Sequence, residues 1–148
     1  MTLLYADTSV VVRAYLPDEP DHAELANLLF DSANPVLTSE LTRVEFASAI
    51  IAAGRSGRLS CPEAYLDRFD DDCEDDGPFT LVELDSAVIL PIARTTVCQY
   101  RLRTLDAIHL AVLATDCVAF AGGEPVALVT RDHDQADVAR KLGIAVLT

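Results

Sequence analysis

Val126-Ala127-Leu128-Val129-Thr130-Arg131-Asp132, then His133 to Leu142, then Ile144-Ala145-Val146-Leu147, is the stretch on which the fold turns. Its aliphatic ends are of strand length, and its middle has a helical pattern. The unit therefore reads as strand, helix, strand. Asp132, with Gln135 three residues on, has the spacing of an N-cap and capping box for that helix.

The same alternation extends to the rest of the chain. Short β-branched or aliphatic runs at Leu3 to Ala6, Val36 to Thr38 and Phe79 to Val82 read as further buried strands. Helical patterns lie between them, at Ser9 to Tyr15, Asp21 to Ala33, Glu40 to Ser56, Pro62 to Glu74, Ser86 to Gln99 and Leu105 to Phe120. Strands alternating with helices predict a parallel sheet covered on both faces. Ligands of such sheets bind beyond the carboxyl ends of the strands. Asp7 directly follows the first strand and Asp132 follows the fourth, so both fall at that edge. Asp7 can also be a turn residue, with Ser9 as the cap of the first helix.

Two more acids attract attention. Glu45 sits in mid-helix beside an apolar stripe, with Val44, Phe46, Ala47 and Ala49 around it, and a buried carboxylate needs a partner. Asp106 lies in the first turn of its helix, where the dipole favours a negative charge. His109 shares a face with Asp106 at i,i+3, where the pair could hold a water or a phosphate, and reads first as a half-buried packing residue. His22 and His133 read as surface positions.

Size and charge narrow the function. The chain has 148 residues, which fits a single domain. Its N-terminus lacks the pattern of a signal peptide. Polar residues interrupt each apolar stretch before membrane-spanning length, although the mean hydropathy is +0.25. A cytoplasmic protein without a membrane partner is expected. Cys61, Cys73, Cys98 and Cys117 are scattered, which suggests neither a zinc site nor a disulfide framework. A net charge of −13 disfavours a broad basic surface for coating nucleic acid. The acidic run Asp70 to Asp76 before Gly77-Pro78 reads as a solvated helix end, without the ligand spacing of an EF-hand. Gly122-Gly123-Glu124-Pro125 reads as a turn, without the features of a phosphate-binding P-loop.

Taken in order, Asp7-Thr8-Ser9, Arg43-Val44-Glu45, Leu102-Arg103-Thr104-Leu105-Asp106-Ala107-Ile108-His109-Leu110-Ala111 and Thr130-Arg131-Asp132 resemble the PIN-domain family, and within it the VapC-type ribonuclease toxins of bacterial toxin–antitoxin pairs. The resemblance implies a three-layer α/β/α sandwich around a mainly parallel five-stranded sheet. It carries the site acids onto Asp7, Glu45, Asp106 and Asp132, with Asp134 as a companion or substitute for Asp132. Thr8, Ser9 and Thr130 become supporting hydroxyls.

The implied activity is RNA hydrolysis with Mg2+ or Mn2+, leaving a 5′-phosphate and a 3′-hydroxyl. Two like charges about 4 Å apart repel by roughly 4 kcal/mol at an effective dielectric near 20, so converging carboxylates call for a cation. Oxygen ligands select a hard one. Arg13, Arg43 and Arg103 are the sequence neighbours able to meet RNA phosphates. A cognate VapB-type antitoxin and a homodimer are the implied protein partners. The alternative is an inactive PIN scaffold that binds a partner protein or RNA. A receiver domain would need a lysine after a late strand, whereas the only lysine, Lys141, lies in the last helix.

Overall fold

The computed structural model describes residues 1–148. Five strands, β1 (Leu3–Ala6), β2 (Val36–Ser39), β3 (Phe79–Val82), β4 (Val126–Val129) and β5 (Ala145–Leu147), form one sheet in the order β3-β2-β1-β4-β5. Every pairing is parallel. The helices are α1 (Thr8–Tyr15), α2 (His22–Ala26), α3 (Leu41–Arg55), α4 (Pro62–Asp72), α5 (Ser86–Gln99), α6 (Thr104–Val112), α7 (Val118–Ala121) and α8 (His133–Lys141).

The period of two along each strand makes the layers. Leu4, Ala6, Val36, Ala127 and Val129 point to one face and pack on Val10, Leu25, Phe46 and Phe69 from α1 to α4. Leu3, Tyr5, Leu37 and Leu128 point to the other and pack on Ile89, Leu110 and Val138 from α5, α6 and α8. The result is the expected three-layer α/β/α sandwich. Because both faces are covered, β1 and β2 are buried along their whole lengths.

The strand order sets the position of the site. From β1 the chain moves outward to β2 and β3, then crosses back to place β4 on the other side of β1. Connections leave β1 and β4 in opposite directions, which opens a crevice between their carboxyl ends. The register Ala6↔Val129 brings Asp7 beside Thr130 in that crevice.

Several local expectations are corrected. The helix expected over Asp21 to Ala33 is α2 followed by a π-helical turn, Asn27–Asp31, after which Ser32 is extended. The first helix starts at Thr8 with Asp7 as its N-cap, so Ser9 is not the cap. Val44, expected to pack against Glu45, is 69% exposed. The run Thr104–Ala121, which comprises α6, a π-helical turn (Leu113–Cys117) and α7, is one 18-residue stretch of mean hydropathy 1.5. By length and composition it could cross a membrane, contrary to the expectation of early polar interruption. Half of it is buried here, where α6 packs on Leu3, Tyr5 and Leu128.

Candidate metal centre

At the crevice between β1 and β4 lies a cleft of about 490 Å³ whose walls include Asp7, Glu45, Asp106 and Asp132. They come from four places. Asp7 ends β1, Glu45 projects from the second turn of α3, Asp106 from the first turn of α6, and Asp132 from the N-cap of α8.

Each acid is held differently. The Ser9 hydroxyl donates to Asp7 Oδ2 at 2.6 Å, and the Asp7 carboxylate makes no side-chain cap, which leaves Oδ1 directed to other partners. Glu45 Oε1 accepts from the Thr8 hydroxyl at 2.9 Å and lies 2.6 Å from His109 Nε2. Partial burial alone would push the Glu45 carboxyl up, but the His109 hydrogen bond and charge bring it below its usual range. Burial would likewise lower His109, yet the hydrogen bond to Glu45 and the charges of Asp7, Glu45 and Asp106 raise it. Both shifts describe one ion pair seen from its two ends.

Asp106 behaves in the opposite way to Glu45. Burial raises its carboxyl, and the neighbouring charges of Asp7 and Asp132 add to that, so it stays above the usual range even with Arg103 alongside. Arg103 donates from Nε to Asp106 Oδ2 at 3.0 Å and from Nη2 to Asp132 Oδ2 at 2.8 Å. Its side chain remains 77% exposed, so it is a solvated bridge free to move.

Asp132 divides its work. Its Oδ1 accepts from the Gln135 backbone N–H at 2.9 Å, the cap predicted from sequence. The Gln135 side chain does not close the box directly. Thr130 Oγ1 instead accepts from the Asp132 backbone N–H at 3.1 Å and donates to Gln135 Oε1 at 2.8 Å.

Of the arginines, Arg13 and Arg103 reach the cleft. Arg43 does not. It lies on the exposed face of α3 and pairs with Asp70 at 2.8 Å, because a step of two residues turns the side chain about 200° around the helix, nearly opposite Glu45. Asp134 also stays out of the main cleft, exposed beside Arg101 and Arg103 in an adjoining groove.

Two cleft residues escaped the sequence reading, and His109, behind the wall, has a closer role than expected. Arg131 lines the wall, held by Asp21 at 3.1 Å and Glu24 at 3.2 Å. Its place beyond β4 at the carboxyl edge was the available sign. Glu19 enters from the loop after α1, with no local pattern to mark it. His109 is fully buried and bonded to Glu45, not half-buried packing.

The cleft walls thus carry five acids, Asp7, Glu19, Glu45, Asp106 and Asp132, against three arginines, Arg13, Arg103 and Arg131. The negative excess and the all-carboxylate donor set suit a hard divalent cation. The acids are not closed into a cage: no three His, Cys, Asp or Glu side chains in the chain converge as a ready ligand set. The positive groups of Arg103 and His109 hold them in place instead. The four cysteines are free, and burial pushes Cys73 and Cys117 up to about 12, far from thiolate chemistry.

Comparison with known proteins agrees with this architecture. The PIN-domain family model matches residues 4–141. Ribonuclease VapC35 of Mycobacterium tuberculosis is 33% identical over 151 residues, covering 98% of this chain and 96% of that protein. Ribonuclease VapC46 of the same organism is 31% identical, covering 99% and 98%. Among solved structures, a toxin-antitoxin complex from Klebsiella pneumoniae has a chain that superposes with a TM-score of 0.60 at 18% identity, covering 99% of this chain and 96% of that one. FitAcB from Neisseria gonorrhoeae gives 0.57 at 16% identity, covering 99% and 97%. With four acids from separate elements meeting where β1 and β4 part, and with full-length relatives of this kind, the chain belongs to the PIN-domain family, in its VapC branch.

Proposed function

We propose that the protein is a metal-dependent endoribonuclease, the toxin of a VapBC-type toxin–antitoxin pair. The observation that carries this reading is the gathering of Asp7, Glu45, Asp106 and Asp132 into one cleft with a negative excess. The names of the full-length relatives supply the reaction class, and the toxin-antitoxin complex to which one structural neighbour belongs suggests the biological one.

Asp7 and Asp106 would hold a Mg2+ or Mn2+ ion, with Glu45 and Asp132 ligating it directly or through water. Such an ion supplies Lewis-acid activation of water and offsets charge on the phosphate. The chain's own groups prepare the cleft for it. Ser9, Thr8 and His109 orient the lone pairs of Asp7 and Glu45 through their hydrogen bonds. Arg103 balances Asp106 and Asp132 until a cation competes for them, and its exposure leaves it free to turn to an RNA phosphate. Arg13 and Arg131 stand at the same wall, tethered to Asp21, as further phosphate contacts.

The acidic surface suits a basic segment of an antitoxin better than bulk nucleic acid. A homodimer would find exposed apolar side chains on both edges of α5, Val88 and Ile92 on one and Leu90 and Val97 on the other.

The test is cleavage of structured RNAs by the purified protein with Mg2+, Mn2+ or excess chelator, beside Asp7→Asn. Cleavage is expected only with metal, and the variant should fall at least about 100-fold while keeping its circular dichroism spectrum. Persistence of cleavage in chelator or in the variant would defeat the carboxylate-metal mechanism.

A further inference from the structure

Tyr5 lies in the middle of β1 with its side chain on the α5 and α6 side of the sheet, fully buried and away from the cleft walls. Its hydroxyl is 2.6 Å from His109 Nδ1, and the two rings meet edge to face with centroids 5.8 Å apart. The other ring nitrogen, Nε2, is 2.6 Å from Glu45 Oε1. A continuous path of hydrogen bonds therefore runs from a phenol inside the sheet to a carboxylate on the cleft wall. We propose that Tyr5 and His109 are positioning residues for Glu45: the Tyr5 hydroxyl selects the imidazole tautomer whose Nε2–H donates to Glu45 and aims that carboxylate into the cation site. This rests on the reading of the cleft as a cation site.

Donor and acceptor accounting supports the assignment. An ionised carboxylate only accepts, so at 2.6 Å the proton between Glu45 and His109 sits on Nε2. In the neutral ring Nδ1 is then an acceptor, and a phenol is the donor set against it. Burial holds the Tyr5 phenol well above its ordinary value, so it keeps that proton. Glu45 Oε1 also accepts from the Thr8 hydroxyl, which is 3.3 Å from His109 Nε2 and 3.1 Å from Thr42, whose hydroxyl is 2.7 Å from Thr38. Glu45 Oε1 is thus held by two buried donors, the Thr8 hydroxyl and the His109 ring. Without the Tyr5 hydroxyl the Nε2–H tautomer loses one of the two contacts that favour it, and the share of neutral rings with the proton on Nδ1 rises. A bare Nε2 lone pair would then face the carboxylate and turn it out of place. Outer-shell partners of this kind typically govern about 10- to 100-fold in metal affinity.

The test compares the wild type, Tyr5→Phe, His109→Gln and the double variant at a pH where the 15N shifts of His109 show the wild-type ring to be neutral. One readout is Mn2+ affinity without RNA, followed by electron paramagnetic resonance; the other is the 15N shift pattern of His109 in metal-free protein. Tyr5→Phe should weaken Mn2+ binding about tenfold and shift the ring toward the Nδ1–H tautomer. A glutamine amide at position 109 can place an N–H near Nε2 without help from Tyr5. Adding Tyr5→Phe to His109→Gln should therefore change Mn2+ affinity less than about twofold. An unchanged tautomer in Tyr5→Phe, or an equal loss of affinity in both backgrounds, overturns the proposal, because either would reduce Tyr5 to packing. If the wild type takes up no Mn2+ while the tautomer still depends on Tyr5, it is the cation-site reading that fails.

Discussion

Glu45 and His109 form the one close acid–imidazole pair in the cleft, and their opposite shifts give a pH signature. The Glu45 carboxyl is depressed in the folded state, so its contribution is present above the unfolded value near 4.5 and lost as pH falls through the folded one. The His109 ring is raised, so its contribution is present below the unfolded value near 6.5 and lost as pH rises through the folded one. Both contributions coexist between those limits. In metal-free protein, the excess in melting temperature of wild type over Glu45→Gln should be largest between about pH 5 and 6.5 and shrink towards pH 9. Calorimetry across that range is the check, and a flat difference would mean that the pair carries no charge-assisted bond.

Residues of this kind were only partly visible in the sequence. Glu45 was marked by the apolar residues around it, and the need for a partner was sound. That partner was His109, 64 positions away, and no local pattern connects the two. Arg43 shows the converse error, since closeness in sequence on a helix separates side chains by angle and sends this one to Asp70.

Among the elements, α8 combines support and site most tightly. Asp132 gives one carboxylate oxygen to the helix N-terminus and the other to Arg103 in the cleft. These roles separate by substitution. Asp132→Asn keeps an oxygen for the cap, so its melting temperature should stay within about 1 °C of wild type, whereas Asp132→Ala should lose about 1 kcal/mol, or roughly 3 °C. RNA cleavage should fall in both. Equal melting temperatures would remove the cap from the account, and full cleavage in Asp132→Asn would remove the charge.

Element type was legible wherever the apolar period was long and the ends were punctuated. The Asp132 cap and the strand before it were readable because capping acts over three or four residues. Gly77, which ends the acidic run, has a further reason that was not readable: a Cβ there would lie 2.0 Å from the Asp72 carbonyl oxygen, so the turn after α4 closes only on glycine. The π-helical turns after α2 and α6 carried no local mark either.

At the scale of the molecule, the α1 to α4 side of the sheet is an aromatic core. Phe46 and Phe69 have centroids 4.4 Å apart, and Tyr15 packs edge-on to Phe30, Phe46 and Phe69. Phe69 is buried to 1% exposure, on α4 and remote from the cleft walls. Phe69→Ala should cost about 3–5 kcal/mol, read by denaturant unfolding. A loss under about 1 kcal/mol would mean that α4 contributes little to the core.

By itself the sequence determined the α/β alternation, that the sheet is parallel and covered on both faces, and that Asp7 and Asp132 follow strands. Those properties depend on periods of two and 3.6 and on caps a few residues long, so they are written locally. Only the tertiary structure decided that β4 lies against β1, that Arg103 bridges Asp106 to Asp132, and that Tyr5 meets His109 across 104 residues. Such partners are chosen by strand order and by the way the helices pack across the sheet. Long-range choices of that kind leave no trace in a short window, because each residue involved has an adequate local explanation of its own.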